Sequence, residues 1–110
     1  MPSPTSPLGS SFEVILNMTD DLTLAASQAN TNLVVGLSGL SGGKTLVLPA
    51  ISQMVACQNP FIRVVNKSSS GGTITISKNS ADSTIIGQVT CLVATGVTFF
   101  HNGLNQWYGI

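Results

Sequence analysis

Few residues in this chain are equipped to do chemistry. Of its 110 residues one is histidine, two are cysteine and four are acidic. Nucleophilic catalysis needs a serine or cysteine, a base and an orienting group in mutual contact. His101 is the sole imidazole, set between Phe99-Phe100 and the Asn102-Gly103 turn, and Cys57 and Cys91 are the thiols it could pair with. Neither cysteine has the flanking sequence of a strained nucleophile turn, so His101 reads as a surface or interface residue at a strand end. The carboxylates Glu13, Asp20, Asp21 and Asp82 show no paired spacing for acid–base work. The same residues do not make a zinc site, and Asp20-Asp21 reads as a solvated turn rather than a calcium ligand pair.

Two further stretches invite a chemical reading. Ser38-Gly39-Leu40-Ser41-Gly42-Gly43-Lys44-Thr45 approaches a phosphate-binding loop, but that motif needs glycine where Ser38 stands. It also needs a helix after Lys44-Thr45, whose first amides hold the phosphate. Leu46-Val47-Leu48-Pro49 follows instead, and it reads as a strand. Trp107-Tyr108 could stack on a sugar or a base, although at the end of a strand such a pair more often closes a core or seats a subunit. Asn17-Met18-Thr19 and Asn66-Lys67-Ser68 fit the glycosylation pattern, which matters only in a secreted chain. The expectation is therefore a protein with no catalytic residue, no cofactor and no metal.

Composition points the same way. Hydrophobic residues make up 43% of the chain and charged residues only 7%, with four basic and four acidic residues and a formal net charge of zero. Soluble domains usually carry about a quarter charged residues. So neutral a surface does little to repel neighbours, which predicts a homo-oligomer, a trimer ahead of a dimer. Lys44, Arg63, Lys67 and Lys78 stand singly, so no basic patch exists to track phosphates and no nucleic-acid partner is expected. Met1-Pro2-Ser3-Pro4-Thr5-Ser6-Pro7 lacks the basic and apolar regions of a signal peptide, and no run approaches the length of a membrane helix. Folding in a cytoplasm is the expectation, with Cys57 and Cys91 reduced.

The elements that must position these residues are short strands. Residues 1–11 read as an extended Pro/Ser-rich arm, and residues 12–110 as a single β domain. Within it the expected strands are Phe12–Asn17, Leu22–Ala26, Leu33–Leu37, Lys44–Leu48, Phe61–Asn66, Gly72–Lys78, Thr84–Ile86, Val89–Val93, Val97–His101 and Gln106–Ile110. Gly87, Gly96 and Asn102-Gly103 mark turns between them. Ile51–Asn59 reads as irregular, and the only helical turn suggested lies at Ser27–Asn32. Thr73-Ile74-Thr75-Ile76-Ser77 alternates cleanly, as a half-buried antiparallel strand does. Phe61-Ile62-Arg63-Val64-Val65-Asn66 alternates less and is expected to be covered on both faces. The fold class is all-β, an antiparallel sandwich or jelly-roll-like small barrel with an extended N-terminal arm.

The second half of the chain has a further, recognisable order. Leu46-Val47-Leu48-Pro49 leads to Phe61-Ile62-Arg63-Val64-Val65-Asn66 and then to Gly72-Thr73-Ile74-Thr75-Ile76. Thr84-Ile85-Ile86-Gly87 follows, then Phe99-Phe100-His101-Asn102-Gly103 and Gln106-Trp107-Tyr108. Over about residues 44–110 this resembles a phage virion β-module, of the kind found in capsid decoration (cement) proteins and in head- or tail-fibre domains. The resemblance implies a structural protein on the outside of a capsid, synthesised in the host cytoplasm, bridging subunits of the major capsid protein. It implies an attachment role for Pro2, Pro4, Pro7 and Leu8 of the arm, and a subunit seam at Phe99, Phe100, Trp107 and Tyr108. The other use of such a module is a receptor- or glycan-binding domain of a fibre or tail spike. A cupin-like enzyme on a jelly roll would need more histidines and paired carboxylates than this chain has.

Overall fold

The structure is a computed structural model, and it describes residues 15–25, 31, 33–36, 42–56, 61–67 and 72–110. The arm, Cys57 and most of Ser27–Asn32 lie outside the described residues. In chain order the elements are β1 (Ile15–Met18), β2 (Leu22–Thr23), β3 (Leu33–Gly36), β4 (Lys44–Val47), α1 (Ile51–Ala56), β5 (Phe61–Asn66), β6 (Ile74–Ser77), β7 (Ile86–Gly87), β8 (Thr90–Cys91), β9 (Thr95–His101) and β10 (Trp107–Gly109). The all-β expectation is met. The strands form a six-stranded sheet in the order β1-β3-β5-β9-β10-β7 and a four-stranded sheet in the order β2-β4-β6-β8.

The pairing corrects the antiparallel expectation. Five of the eight pairings among the described residues are parallel: β1 with β3, β3 with β5, β2 with β4, β4 with β6, and β10 with β7. From β1 to β6 successive strands alternate between the two sheets, so each strand lies beside the one two places earlier. The chain therefore winds in coils, each adding one strand to each sheet. After β6 the direction reverses. β8 runs antiparallel to β6, β9 antiparallel to β5, and β10 folds back on β9 as a hairpin. Alternation of apolar and polar residues reports which face a strand buries and is blind to the direction of its partner.

Both sheets feed one core. Val34, Ile62, Val64, Val97, Phe99 and Trp107 from the larger sheet join Leu46, Ile74, Ile76 and Cys91 from the smaller. Ile74 and Ile76 point inward while Thr75 is exposed, as the alternation predicts. β5 departs from expectation: Ile62, Val64 and Asn66 are buried, Arg63 is exposed, and Phe61 and Val65 are half-covered, so only one face is sealed.

Irregular parts have local causes. Ile51–Ala56 is a helix where no regular structure was expected. Ile51 and Met54, three apart, both reach the core. The Ile51 amide donates to Asp82 Oδ2 at 3.0 Å, so the helix start is capped by a residue far along the chain. Between β1 and β2, Asp20 accepts the Asp21 amide at 2.8 Å and pairs with Lys44 at 3.1 Å, while Asp21 Oδ1 accepts the Thr45 amide at 2.8 Å. The Asp21 amide, and then Lys44, hold the Asp20 carboxyl below its ordinary range. This turn is thereby tied to the start of β4. Gly96, expected at a turn, lies within β9 instead, where a Cβ would collide with the Arg63 guanidinium crossing it. Ala94 takes the left-handed turn conformation in its place, at φ 66°.

Candidate functional site

The larger sheet has one face in the core and one outside. On the outer face three strand registers align an apolar row. Phe100 of β9 stands opposite Phe61 of β5 and Tyr108 of β10, and Tyr108 stands opposite Ile86 of β7. The Phe61 and Phe100 rings meet edge to face, with centroids 6.5 Å apart and planes at 78°. Phe100 is 39% exposed, Tyr108 38% and Ile86 56%. Cross-strand aromatic neighbours of this kind stabilise a sheet and also present contiguous apolar surface. A neighbouring row carries a charge: Arg63 lies between Leu33 and Thr98 in register, and its Nη1 donates to Thr98 Oγ1 at 2.7 Å.

The aromatic quartet expected at a subunit seam thus divides by strand parity. Phe100 and Tyr108 face outward. Phe99 and Trp107 are fully buried and serve the core, so neither has surface to offer a partner or a sugar. Phe61 and Ile86, not singled out in the sequence, complete the row. Each follows from register rather than from its own neighbours, so only the pairing could have revealed it. Pro2, Pro4, Pro7 and Leu8 lie outside the described residues.

Cys57 and Glu13 lie outside the described residues, and the described candidates for catalysis are not brought together. Cys91 is buried, with its Sγ 3.4 Å from the Thr95 carbonyl and 3.6 Å from that of Val64. His101 lies at the opposite end of β9 from Thr95. A strand of that length separates thiol and imidazole by roughly 20 Å, well beyond proton transfer. His101 and Trp107 pack their rings edge to face, with centroids 5.2 Å apart and planes at 79°. Lys44 and Thr45 begin a strand, not the helix whose first amides a phosphate-binding loop needs. Among the described residues no three of His, Cys, Asp or Glu cluster as metal ligands, and no helix is long and apolar enough to cross a membrane.

No family model, curated protein or solved structure matches the chain.

Proposed function

We propose that this chain is a non-enzymatic structural protein of a phage particle, a decoration protein that binds the outside of the capsid and bridges coat subunits. The observation that carries the reading is the outward row Phe61–Phe100–Tyr108–Ile86 on a nearly uncharged molecule. Exposed aromatic residues on a surface poor in charge are what protein interfaces concentrate at their energetic centres. Repetition around a shell multiplies modest contacts by avidity, and a ligand that binds only the assembled state stabilises it. The same face would carry self-association into a homo-oligomer, a trimer before a dimer. The Pro-rich arm would be a second attachment point, because proline restricts the free chain and lowers the entropy cost of ordering it.

The test is occupancy on capsids lacking the protein, comparing wild type with the double variant Phe100→Ser, Tyr108→Ser. Both positions are partly exposed, so the fold should survive, which a circular dichroism spectrum would establish. We expect occupancy to need about tenfold or more protein for the variant, the scale of one or two central aromatic contacts. Equal occupancy, or absence of the chain from purified particles, would overturn the reading. A second reading is favoured by Tyr108 itself: an exposed tyrosine ring beside Phe100 suits stacking on a sugar, as a glycan-binding fibre domain requires. Binding to host glycans without particle occupancy would select it.

A further inference from the structure

The loop joining β9 to β10 holds an arrangement that a simple turn does not require. The Asn102 amide donates to the Gln106 carbonyl at 3.0 Å and closes the loop. Within it, the Asn102 side-chain oxygen accepts three backbone amides: Leu104 at 2.8 Å, Asn105 at 2.9 Å and Gln106 at 3.0 Å. The Gly103 amide turns away from these and donates to His101 Nδ1 at 3.0 Å. Gly103 has φ +78°, and beyond its own chain neighbours no atom lies within 4 Å of where a Cβ would stand. His101 sits on the strand, its ring against fully buried Trp107, so this acceptor is held on a rigid element.

We propose that Asn102-Gly103 is a self-modifying site, in which His101 is the base for cyclisation of Asn102 to a succinimide that hydrolyses to aspartate or isoaspartate. The nucleophile is the Gly103 backbone nitrogen, and its proton is the one already directed at His101 Nδ1. The electrophile is Cγ of Asn102. As the N–Cγ bond forms, charge moves onto the side-chain oxygen, where three N–H groups stand at the distances an oxyanion hole uses. The Cγ–Nδ2 bond then breaks, His101 returns the proton to the departing nitrogen, and ammonia leaves. Water opens the resulting imide at either carbonyl. No oxidant or reductant is involved. Glycine after the asparagine leaves the attacking nitrogen unshielded, the role a Cβ would obstruct. Each event adds one negative charge to a chain whose formal net charge is zero. An aspartate product would still accept the three amides, as a stronger acceptor. An isoaspartate would lengthen the backbone of the loop.

The same hydrogen bonds would retard the reaction if they only braced the turn, and the experiment separates the two cases. The folded full-length chain is incubated at neutral pH and physiological temperature, in parallel with the chain unfolded in urea. Peptide mass spectrometry follows conversion at Asn102. We expect the folded chain to convert several-fold faster than the unfolded one. His101→Phe, which keeps a ring against Trp107 but removes the base, should slow the folded chain about tenfold or more, the usual scale of a positioned base. His101→Gln keeps a hydrogen-bond acceptor without a base and should be equally slow. It also serves if the Phe variant does not fold. A folded chain no faster than the unfolded one, or folded variants as fast as wild type, would overturn the proposal.

Discussion

Asn66 links the two sheets through a single side chain. It is fully buried at the end of β5, and its Nδ2 donates to the carbonyls of Gly72 at 2.6 Å and Cys91 at 3.0 Å. Its own carbonyl accepts the Ala94 amide at 2.8 Å. One residue of the larger sheet therefore satisfies backbone groups at the approach to β6 and on β8, both belonging to the smaller sheet. Replacing Asn66 by Asp keeps the volume but exchanges the donor for an acceptor, placing a carboxylate against two carbonyls. Replacing it by Ala removes both hydrogen bonds, the one to Cys91 from the interior, a cost of about 1–3 kcal/mol. Urea unfolding should show both variants destabilised and Asp the worse of the two, and equal stability of wild type and Asp would refute the role. Only part of this was legible beforehand. Asn66 ends a strong β run and so marked a strand end, but its partners are carbonyls brought near by winding, which no local pattern encodes. His101 was likewise correctly placed at a strand end, while its bond to Gly103 belongs to the loop's shape.

At the scale of elements, the short strands at the reversed end depend on small residues in two opposite ways. β10 and β7 pair with Gly109 opposite Gly87, and a Cβ on Gly109 would run into the Gln88 carbonyl and the Phe99 ring. The turn before β9 has the converse problem: Ala94 holds a left-handed conformation that costs a side-chain residue about 1 kcal/mol or more. Gly109→Ala should therefore destabilise the fold, by about 1–3 kcal/mol where the backbone must shift to make room. Ala94→Gly should be neutral to stabilising, because relief of strain offsets the larger entropy of glycine in the unfolded chain. Thermal unfolding of the two variants should shift in these directions, and the reverse order would show that this end is not packed as described. Strand existence was readable here from β-branched and aromatic runs. Strand limits were not: the expected Thr84–Ile86 lies at Ile86–Gly87, and Val89–Val93 contracts to Thr90–Cys91. In such short ladders the pairing partner, not propensity, sets the ends. The helix at Ile51–Ala56 escaped notice for a related reason, since six residues are too few to show a period and the cap is Asp82.

The molecule as a whole is built from distant pairings. Ile15 lies beside Leu33, Leu33 beside Arg63, and Lys44 beside Ile74, so each coil closes a long loop before its strands can bond. The reversed strands add to this, because β9 must find β5 with Phe100 opposite Phe61. Loop-closure entropy is lost before such contacts return any stabilisation, and the only described helix is too short to nucleate alone. Winding also makes the pairs interdependent. β3 needs β1 or β5 beside it, and β5 needs the reversed strands to cover its far edge, which favours one cooperative transition over stepwise loss of coils. Refolding from urea should accordingly take milliseconds to seconds, as for other folds dominated by non-local strands. Trp107, the single tryptophan and fully buried, reports it directly by fluorescence in a stopped-flow instrument. Any slower phase set by proline isomerisation in the unfolded chain is removed by brief unfolding before refolding. Burial of Trp107 completed within microseconds would mean that local contacts, not the coil pairings, form the core.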